Sequence, residues 1–248
     1  MFWWMFFYFI AGCVTGSFLN CCALRLPQGR SLWGRSACER CGHLLSVYDL
    51  VPVVSYLYLR GKCRYCQTSY GSGNFIAELL TGCVFVLCGL QILPGIKLLM
   101  FFVLASCLIL ISLIDFHVQI IPDYFVLLIA LCGIAFSILY LPGGLTEGLK
   151  GSAAAFTVML TIFILSRGGM GGGDVKLGTV LGLWLCFEHK KKFFLLAFMM
   201  GGFISCLLLM SGIKGRQDAV PFGPFLCAGA LISVLYARPL AAYYWNLF

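Results

Sequence analysis

The sequence predicts an all-α polytopic membrane protein with about eight transmembrane helices and one long polar loop. Hydrophobic residues make up 61% of the 248 residues and charged residues only 10%, an apolar content above that of soluble domains. Apolar runs recur along the chain at lengths close to those that cross about 30 Å of hydrocarbon. Polar residues concentrate instead between positions 20 and 74, which we expect to lie outside the membrane.

These runs divide the chain into a first transmembrane helix at 1–19, a polar loop at 20–74 and a seven-helix membrane core at 75–248. The sixth run is short for a full crossing, so it or the glycine loop before it is expected to include re-entrant backbone buried against other helices. The predicted spans are 1–19, 75–93, 96–114, 124–141, 149–166, 176–187, 193–211 and 223–237.

The net charge of +8 reports membrane topology rather than a nucleic-acid partner, because Lys and Arg collect on the cytosolic side of membrane proteins. Seven of the 17 basic residues lie in the polar loop, against only Glu39 and Asp49. The loop is therefore expected in the cytosol and the N-terminus outside. Lys190 to Lys192 would fall outside in this topology, and the charge rule does not account for them. We therefore expect membrane lipid, and no nucleic acid, among the partners of this chain.

Four of the 14 cysteines stand in the polar loop as two C-x-x-C pairs, Cys38 with Cys41 and Cys63 with Cys66. This spacing is close to that of four-thiolate zinc sites, in which the tetrahedron is closed and the metal is structural. A short loop without a large core gains its folding free energy from such a metal. The alternatives are two disulfides, which a cytosolic loop disfavours, or a redox C-x-x-C, which leaves the second pair unexplained.

Two acids, Asp115 and Asp174, lie at the edges of predicted spans, where an ionisable side chain is costly and marks a functional site. Two spans separate them, so both are expected at the cytosolic face of the membrane. Adjacent carboxyls share one proton, so one can activate water while the other polarises a peptide carbonyl. Asp123, which follows Pro122, is expected to cap the fourth span.

The run SRGGMGGGDVKLG places glycines directly before Asp174. Gly171, Gly172 and Gly173 lack side chains, so the backbone can approach Asp174 and an extended substrate closely. Lys176 either favours ionisation of Asp174 or extends to the lipid headgroups. The run lacks the Lys-Ser/Thr pair of a phosphate-binding loop and the spacing of a dinucleotide motif.

Three classes of function compete at this point: a membrane aspartic protease, a transporter whose acids relay ions, and a scaffold organised by zinc. A relay favours acids near mid-membrane on broken helices, and a scaffold needs neither acid. A glycine hinge with Asp174 capping the next helix explains one acid and leaves Asp115 unexplained.

The chain resembles the type IV prepilin leader peptidases, a family of GxGD-type membrane aspartic proteases. The resemblance runs in order through most of the chain, from GSFLNCCALRLP at 16–27 and the two C-x-x-C pairs to the acids at Asp115 and Asp174 and then PFGPFL at 221–226. It also includes DLVPVVSYLYLRGKCRYC at 49–66, AELLTG at 77–82, IPD at 121–123 and GGGDVKLG at 171–178.

The resemblance implies that Asp115 and Asp174 are the catalytic pair, that the four cysteines bind zinc, and that eight helices surround a site in the bacterial cytoplasmic membrane. It implies as substrates type IV prepilin-like precursors of pili, secretion or competence systems, cut after a glycine that ends a short basic leader. Many members of the family then methylate the new N-terminus with S-adenosylmethionine. Two departures are GSGNFIA, where the family has Tyr-Pro before the glutamate, and CERC without its usual proline.

Overall fold

The computed structural model describes residues 2–38, 40–166, 170–184 and 222–245. It divides into two compact units, Met1–Leu110 and Ile111–Phe248, each of which is considered by itself. The seventh predicted span at 193–211, the Lys190 to Lys192 run, and Gly168 and Gly169 lie outside the described residues.

The described residues form eight α-helices and two short 3₁₀ helices. Leu26–Gln28 and Val47–Leu50 are the 3₁₀ segments. The α-helices are α1 (Phe2–Arg25), α2 (Val54–Leu59), α3 (Gly73–Gln91), α4 (Ile96–Val118), α5 (Asp123–Tyr140), α6 (Gly144–Leu165), α7 (Gly172–Trp184) and α8 (Gly223–Trp245).

Five of the described helices, α1, α3, α4, α5 and α6, are long and apolar enough to cross a membrane. Their positions follow the first five predicted spans and confirm the all-α polytopic membrane class. The described part of α7 covers 13 residues, about 20 Å of helix, and stops where the described range 170–184 ends. The total of eight crossings stays a prediction.

In the first unit, α1 packs against α3 with their backbones in close approach. A Cβ added to Gly12 would lie 2.7 Å from the Cα of Gly82, and one added to Gly16 would lie 2.7 Å from the carbonyl oxygen of Ala77. Glycines four residues apart are a recurrent contact surface of paired membrane helices. The two helices that border the polar loop are therefore held together at their glycines.

The helix α1 continues to Arg25, six residues past the predicted end of the first span. The sequence predicts Asn20 as the first residue of the polar loop. Asn20 is buried, however, and its side-chain amide donates a hydrogen bond to Asn74 of α3. Because the polar group is satisfied by a neighbouring helix, the helical turn continues through it.

In the second unit, α7 packs against α5 and α6 and also contacts α8. Leu177 and Leu181 of α7 are almost fully buried. The indole N–H of Trp184 donates to the carbonyl of Ile129 in α5 at 3.0 Å. The Ser137 hydroxyl of α5 donates to the carbonyl of Leu183 at 2.9 Å. The described part of the helix that follows the glycine run is thus held by neighbouring helices along its length.

Candidate active site and metal centre

Asp115 lies one turn before the end of α4, and Asp174 lies in the first turn of α7. Both side chains are buried, with 5% and 6% of their surface exposed. The two carboxyls are close enough for their charges to interact. Residues 59 positions apart in the sequence are thus brought into one buried acidic site.

Each carboxyl is oriented by one backbone amide. The N–H of Gly223, the first residue of α8, donates to Oδ2 of Asp115 at 3.0 Å. The N–H of Gly171 donates to Oδ2 of Asp174 at 3.2 Å. Oδ1 of Asp174 is also buried and has no hydrogen-bond partner among the described residues. One oxygen of Asp174 is therefore fixed by a backbone amide, while the other makes no hydrogen bond within the described residues.

Gly171 and Asp174 form the helix-capping arrangement that the sequence offered as an alternative. A carboxylate at the third position of a helix that accepts the N–H of the residue before the helix is half of a capping box. This contact accounts for the hydrogen bond that Oδ2 of Asp174 accepts. It does not account for the burial of the unpaired Oδ1 or for the second acid, Asp115, nearby.

The glycines of this site differ in what surrounds them. A Cβ on Gly223 would stand 2.7 Å from Oδ2 and 3.1 Å from Cγ of Asp115, so a side chain there would displace the carboxyl. A Cβ on Gly173 would lie 3.1 Å from Cβ of Ile121, whereas one on Gly172 would have no atom within 4 Å. The sequence reasoning did not identify Gly223 as a site residue, although PFGPFL carried part of the family resemblance.

Lys176 has a partner that was not foreseen in the sequence. Its ammonium donates to both oxygens of Asp123 at 2.8 and 3.0 Å. The expectation that Asp123 caps the fourth span is wrong, because α5 begins at Asp123 itself, after Pro122, and no side-chain cap bond forms. The pair joins the first turns of α5 and α7, and the two predicted roles of Lys176 stay predictions.

The four loop cysteines come together in the first unit. Their sulfur atoms all lie within 4.8 Å of one another, and Sγ of Cys38 is 3.8 Å from Sγ of Cys66. Zinc-to-sulfur bonds of about 2.3 Å in a tetrahedron place the sulfurs roughly 3.8 Å apart. The donor set and its dimensions therefore fit a four-thiolate metal site.

Both C-x-x-C pairs adopt the same turn. The amide of Cys38 donates to the carbonyl of His43 at 2.9 Å, and the amide of Gly42 donates to the carbonyl of Cys38 at 2.8 Å. The second pair repeats this pattern. The amide of Cys63 donates to the carbonyl of Thr68 at 2.9 Å, and the amide of Gln67 donates to the carbonyl of Cys63 at 3.0 Å. The two turns orient two sulfurs each toward one centre.

The thiols have unequal proton affinities. Hydrogen bonding with Thr68 is the main cause that lowers the pKa of Cys66 to about 6. A backbone hydrogen bond from His43 lowers the pKa of Cys41, but desolvation and the thiols of Cys38 and Cys66 outweigh it and raise that pKa to about 11. Metal binding requires the thiolate form, so a bound cation would remove protons that the free thiols retain.

An ion pair between the buried Asp49 and the half-exposed Arg64 supports the loop beside these turns. The guanidinium of Arg64 donates to Oδ1 of Asp49 at 2.7 Å, and the amide and hydroxyl of Ser46 donate to Oδ2 at 3.1 and 2.8 Å. Burial alone would raise the pKa of Asp49, but these hydrogen bonds outweigh burial and hold that pKa below its usual range.

The fold and the two sites define a multi-pass α-helical membrane protein with a buried pair of carboxyls and a four-cysteine centre. Residues 10–92 match the Bacterial Peptidase A24 N-terminal domain, and residues 102–206 match the Type IV leader peptidase family. The chain belongs to the type IV leader peptidase family, as its sequence motifs indicated.

Curated relatives agree over nearly the whole length. The chain is 30% identical to a prepilin leader peptidase/N-methyltransferase of Bacillus subtilis, over 95% of this chain and 96% of that protein. Proteins of the same name from Burkholderia pseudomallei and Aeromonas salmonicida are 30% and 27% identical, over 94% and 97% of this chain and 85% and 94% of theirs. No solved structure is similar enough to match.

Proposed function

We propose that this protein is a membrane aspartic endopeptidase that removes the leader of type IV prepilin-like precursors. The observation that carries the proposal is the pair of buried carboxyls, Asp115 and Asp174, each held by one backbone amide. Family membership supplies the substrate class, since the relatives are named for prepilin leader cleavage. Asp115 and Asp174 are the proposed catalytic residues.

The reaction is hydrolysis without a covalent intermediate. One ionised carboxyl takes a proton from a water molecule, whose oxygen attacks the carbonyl carbon of the scissile peptide. The protonated partner donates to the carbonyl oxygen, so a neutral tetrahedral intermediate forms. Collapse of this intermediate breaks the C–N bond, with one proton passing to the leaving amine. Two carboxyls that share one proton match this exchange.

The amides of Gly223 and Gly171 position the acids for this chemistry. Each fixes Oδ2 of its carboxyl, which leaves the remaining oxygen to face the water or the carbonyl. Gly172 has open space where a Cβ would stand, which suits the approach of an extended peptide. Gly171, Gly172 and Gly173 are thus proposed to support the site, and Lys176 to hold α7 against α5 through Asp123.

A hydrophobic helix that follows a basic leader fits such a site. The apolar part of the substrate lies among the membrane helices, while its basic leader stays in the cytosol under the positive-inside rule. The bond to be cut then lies at the membrane boundary. A glycine before that bond lowers the cost of unwinding the helix. We place the loop and the active site at the cytosolic face of the bacterial inner membrane.

Zinc is the proposed metal of the four-cysteine centre, held by Cys38, Cys41, Cys63 and Cys66. Four thiolates close the coordination shell, so the metal supplies folding free energy to the loop and no chemistry to the cleavage. The relatives are also named as N-methyltransferases, and we propose methylation of the new N-terminus with S-adenosylmethionine as a second activity. We assign none of the described residues to methyl transfer.

Mass spectrometry of a purified precursor tests both activities. The detergent-solubilised protein is incubated with a pilin-like precursor, with and without S-adenosylmethionine. Loss of the leader supports the peptidase, and addition of one methyl group to the product supports methylation. Asp115→Asn and Asp174→Asn are nearly isosteric and are expected to abolish cleavage without loss of expression. If either variant kept turnover near that of the unmodified protein, the carboxyl pair would not be catalytic.

A further inference from the structure

The polar loop carries an apolar groove that neither the acid pair nor the metal centre uses. The groove has a volume of about 370 Å³, and its apolar lining comes from Tyr48, Val51, Val54, Tyr58 and Leu59, with Arg64 at its polar edge. Tyr48 and Tyr58 are each 79% exposed and Val54 is 61% exposed. Exposed aliphatic and aromatic side chains around one groove mark a contact surface rather than an ordinary polar loop.

Two contacts fix the level of this groove relative to a membrane helix. The N–H of Val53 donates to Oε2 of Glu78 at 2.7 Å, and Glu78 is a buried residue of α3. The ring of Tyr56 in α2 stacks on Phe75 in the first turn of α3, with centroids 4.8 Å apart.

Glu78 stands five residues into α3, about 7 Å along the helix axis. The whole 19-residue helix is about 28 Å long, close to the thickness of the hydrocarbon core. The segment beside Glu78 therefore lies within the first two turns of this candidate membrane span, near the end that joins the polar loop.

The exposed charges around the groove are basic, and the two nearby acids, Asp49 and Glu78, are buried. Asp49 is the one acid in residues 47–64, and it is buried against Arg64. Arg60 and Lys62 follow α2 directly and are exposed. A basic rim around an apolar groove complements an anionic phospholipid, whereas it repels a basic leader peptide or the equally basic loop of a second copy.

We propose that this groove binds a membrane phospholipid, with the upper part of an acyl chain among Val51, Val54 and Tyr58 and the phosphate near Arg60. The polar loop is then seated in the membrane interface along α2, in addition to its two attachments at α1 and α3. Ile76 and Leu79, in the first two turns of α3, are also exposed apolar residues. Tyrosines at its rim have the amphipathic character of residues that settle at such boundaries.

Photo-crosslinking of the full-length protein in lipid nanodiscs tests this site. The photoreactive residue p-benzoyl-phenylalanine replaces Tyr58 in one variant and Leu44 in a control. Leu44 is an exposed apolar residue of the same loop that does not line the groove. In nanodiscs of mixed phosphatidylglycerol and phosphatidylcholine, we expect lipid adducts at position 58 at least about fivefold above those at position 44, enriched in phosphatidylglycerol.

The added substitution Arg60→Gln should remove the preference for phosphatidylglycerol while adducts continue to form. Equal lipid yields at positions 58 and 44 would overturn the proposal, and so would crosslinking of position 58 to a second protein chain in place of lipid. A phosphatidylglycerol preference that survives Arg60→Gln would contradict the assigned place of the phosphate.

Discussion

The four cysteines are held by two copies of one short turn, whereas one of the two acids, Asp115, is held by a backbone amide from a distant part of the chain. Each turn of the metal centre closes within six residues, from Cys38 to His43 and from Cys63 to Thr68. The acid site instead joins Asp115 to Gly223, which lies 108 residues further on. The cysteine centre therefore depends on local backbone geometry, and the Asp115 contact depends on how membrane helices pack.

Removing a thiol should break the metal centre and leave the helices in place. Cys63→Ser replaces the most buried of the four ligands, and structural zinc supplies about 10 kcal/mol or more of folding free energy in small domains. We expect loss of about one bound zinc per chain and rapid proteolysis within residues 26–72. Metal analysis and limited proteolysis measure the two effects.

Cys83→Ser is the matched control, because Cys83 is an exposed cysteine of α3 outside the cluster. It should keep both the metal and the protease resistance. Full zinc content in Cys63→Ser protein would refute the four-thiolate centre.

A single methyl group should damage the acid site through packing alone. In Gly223→Ala the new Cβ would stand 2.7 Å from Oδ2 of Asp115, so the carboxyl must move. A displacement of this size at a catalytic group costs on the order of 100-fold in kcat/KM. Kinetics of precursor cleavage measure this change in kcat/KM.

Gly73→Ala is the control, since Gly73 also begins a helix and has no neighbour near its Cβ position. Equal activity of the two variants would argue against a positioning role for Gly223.

The ion pair beside the metal centre should contribute less than the metal. Asp49→Asn removes the charge that Arg64 and Ser46 stabilise, at an expected cost of about 1–2 kcal/mol in loop stability, because Arg64 is half-exposed and screened. The pKa of Asp49 is lowered in the folded loop, so its stabilisation is complete above the ordinary carboxyl pKa of about 3.9 and is lost only as pH falls through the lowered value.

The difference in proteolysis rate between Asp49→Asn and the unmodified protein should therefore be the same at about pH 7 and about pH 5. A difference that disappeared on going to the lower of these pH values would show that Asp49 titrates higher than the structure indicates.

The Lys176 to Asp123 pair should have the smallest effect. Both side chains are largely exposed, and exposed pairs contribute below about 1 kcal/mol. Lys176→Met is expected to lower the melting temperature slightly, with cleavage within about threefold of the unmodified protein. A loss of activity as large as that of Gly223→Ala would instead place Lys176 within the catalytic machinery.

The same contrast separates what the sequence predicts from what it does not. The spacing of Cys38, Cys41, Cys63 and Cys66 predicts their meeting, because each knuckle is a local turn. The span pattern predicts the first five membrane helices, because hydrophobic length is read directly. Gly223 and the Asp123 partner of Lys176 could not be predicted, since both depend on which helix ends meet after packing. Asn20 was placed in the loop because its buried partner, Asn74, is visible only in three dimensions.

The glycine contact between α1 and α3 affects how far the polar loop can change in length. The packed pair holds the two ends of the loop together whatever its length, so each doubling of that length costs only about 0.6 kcal/mol of closure entropy. Gly29 and Gly34 have positive φ angles and no neighbour within 4 Å of their Cβ positions, and the guanidinium of Arg25 donates to the carbonyls of Ser31 and Leu32 between them at a long 3.4 Å. A reporter domain inserted between Gly29 and Gly34 would lengthen the loop outside both C-x-x-C turns. Such an insertion should label this membrane enzyme without disturbing the packing of its helices.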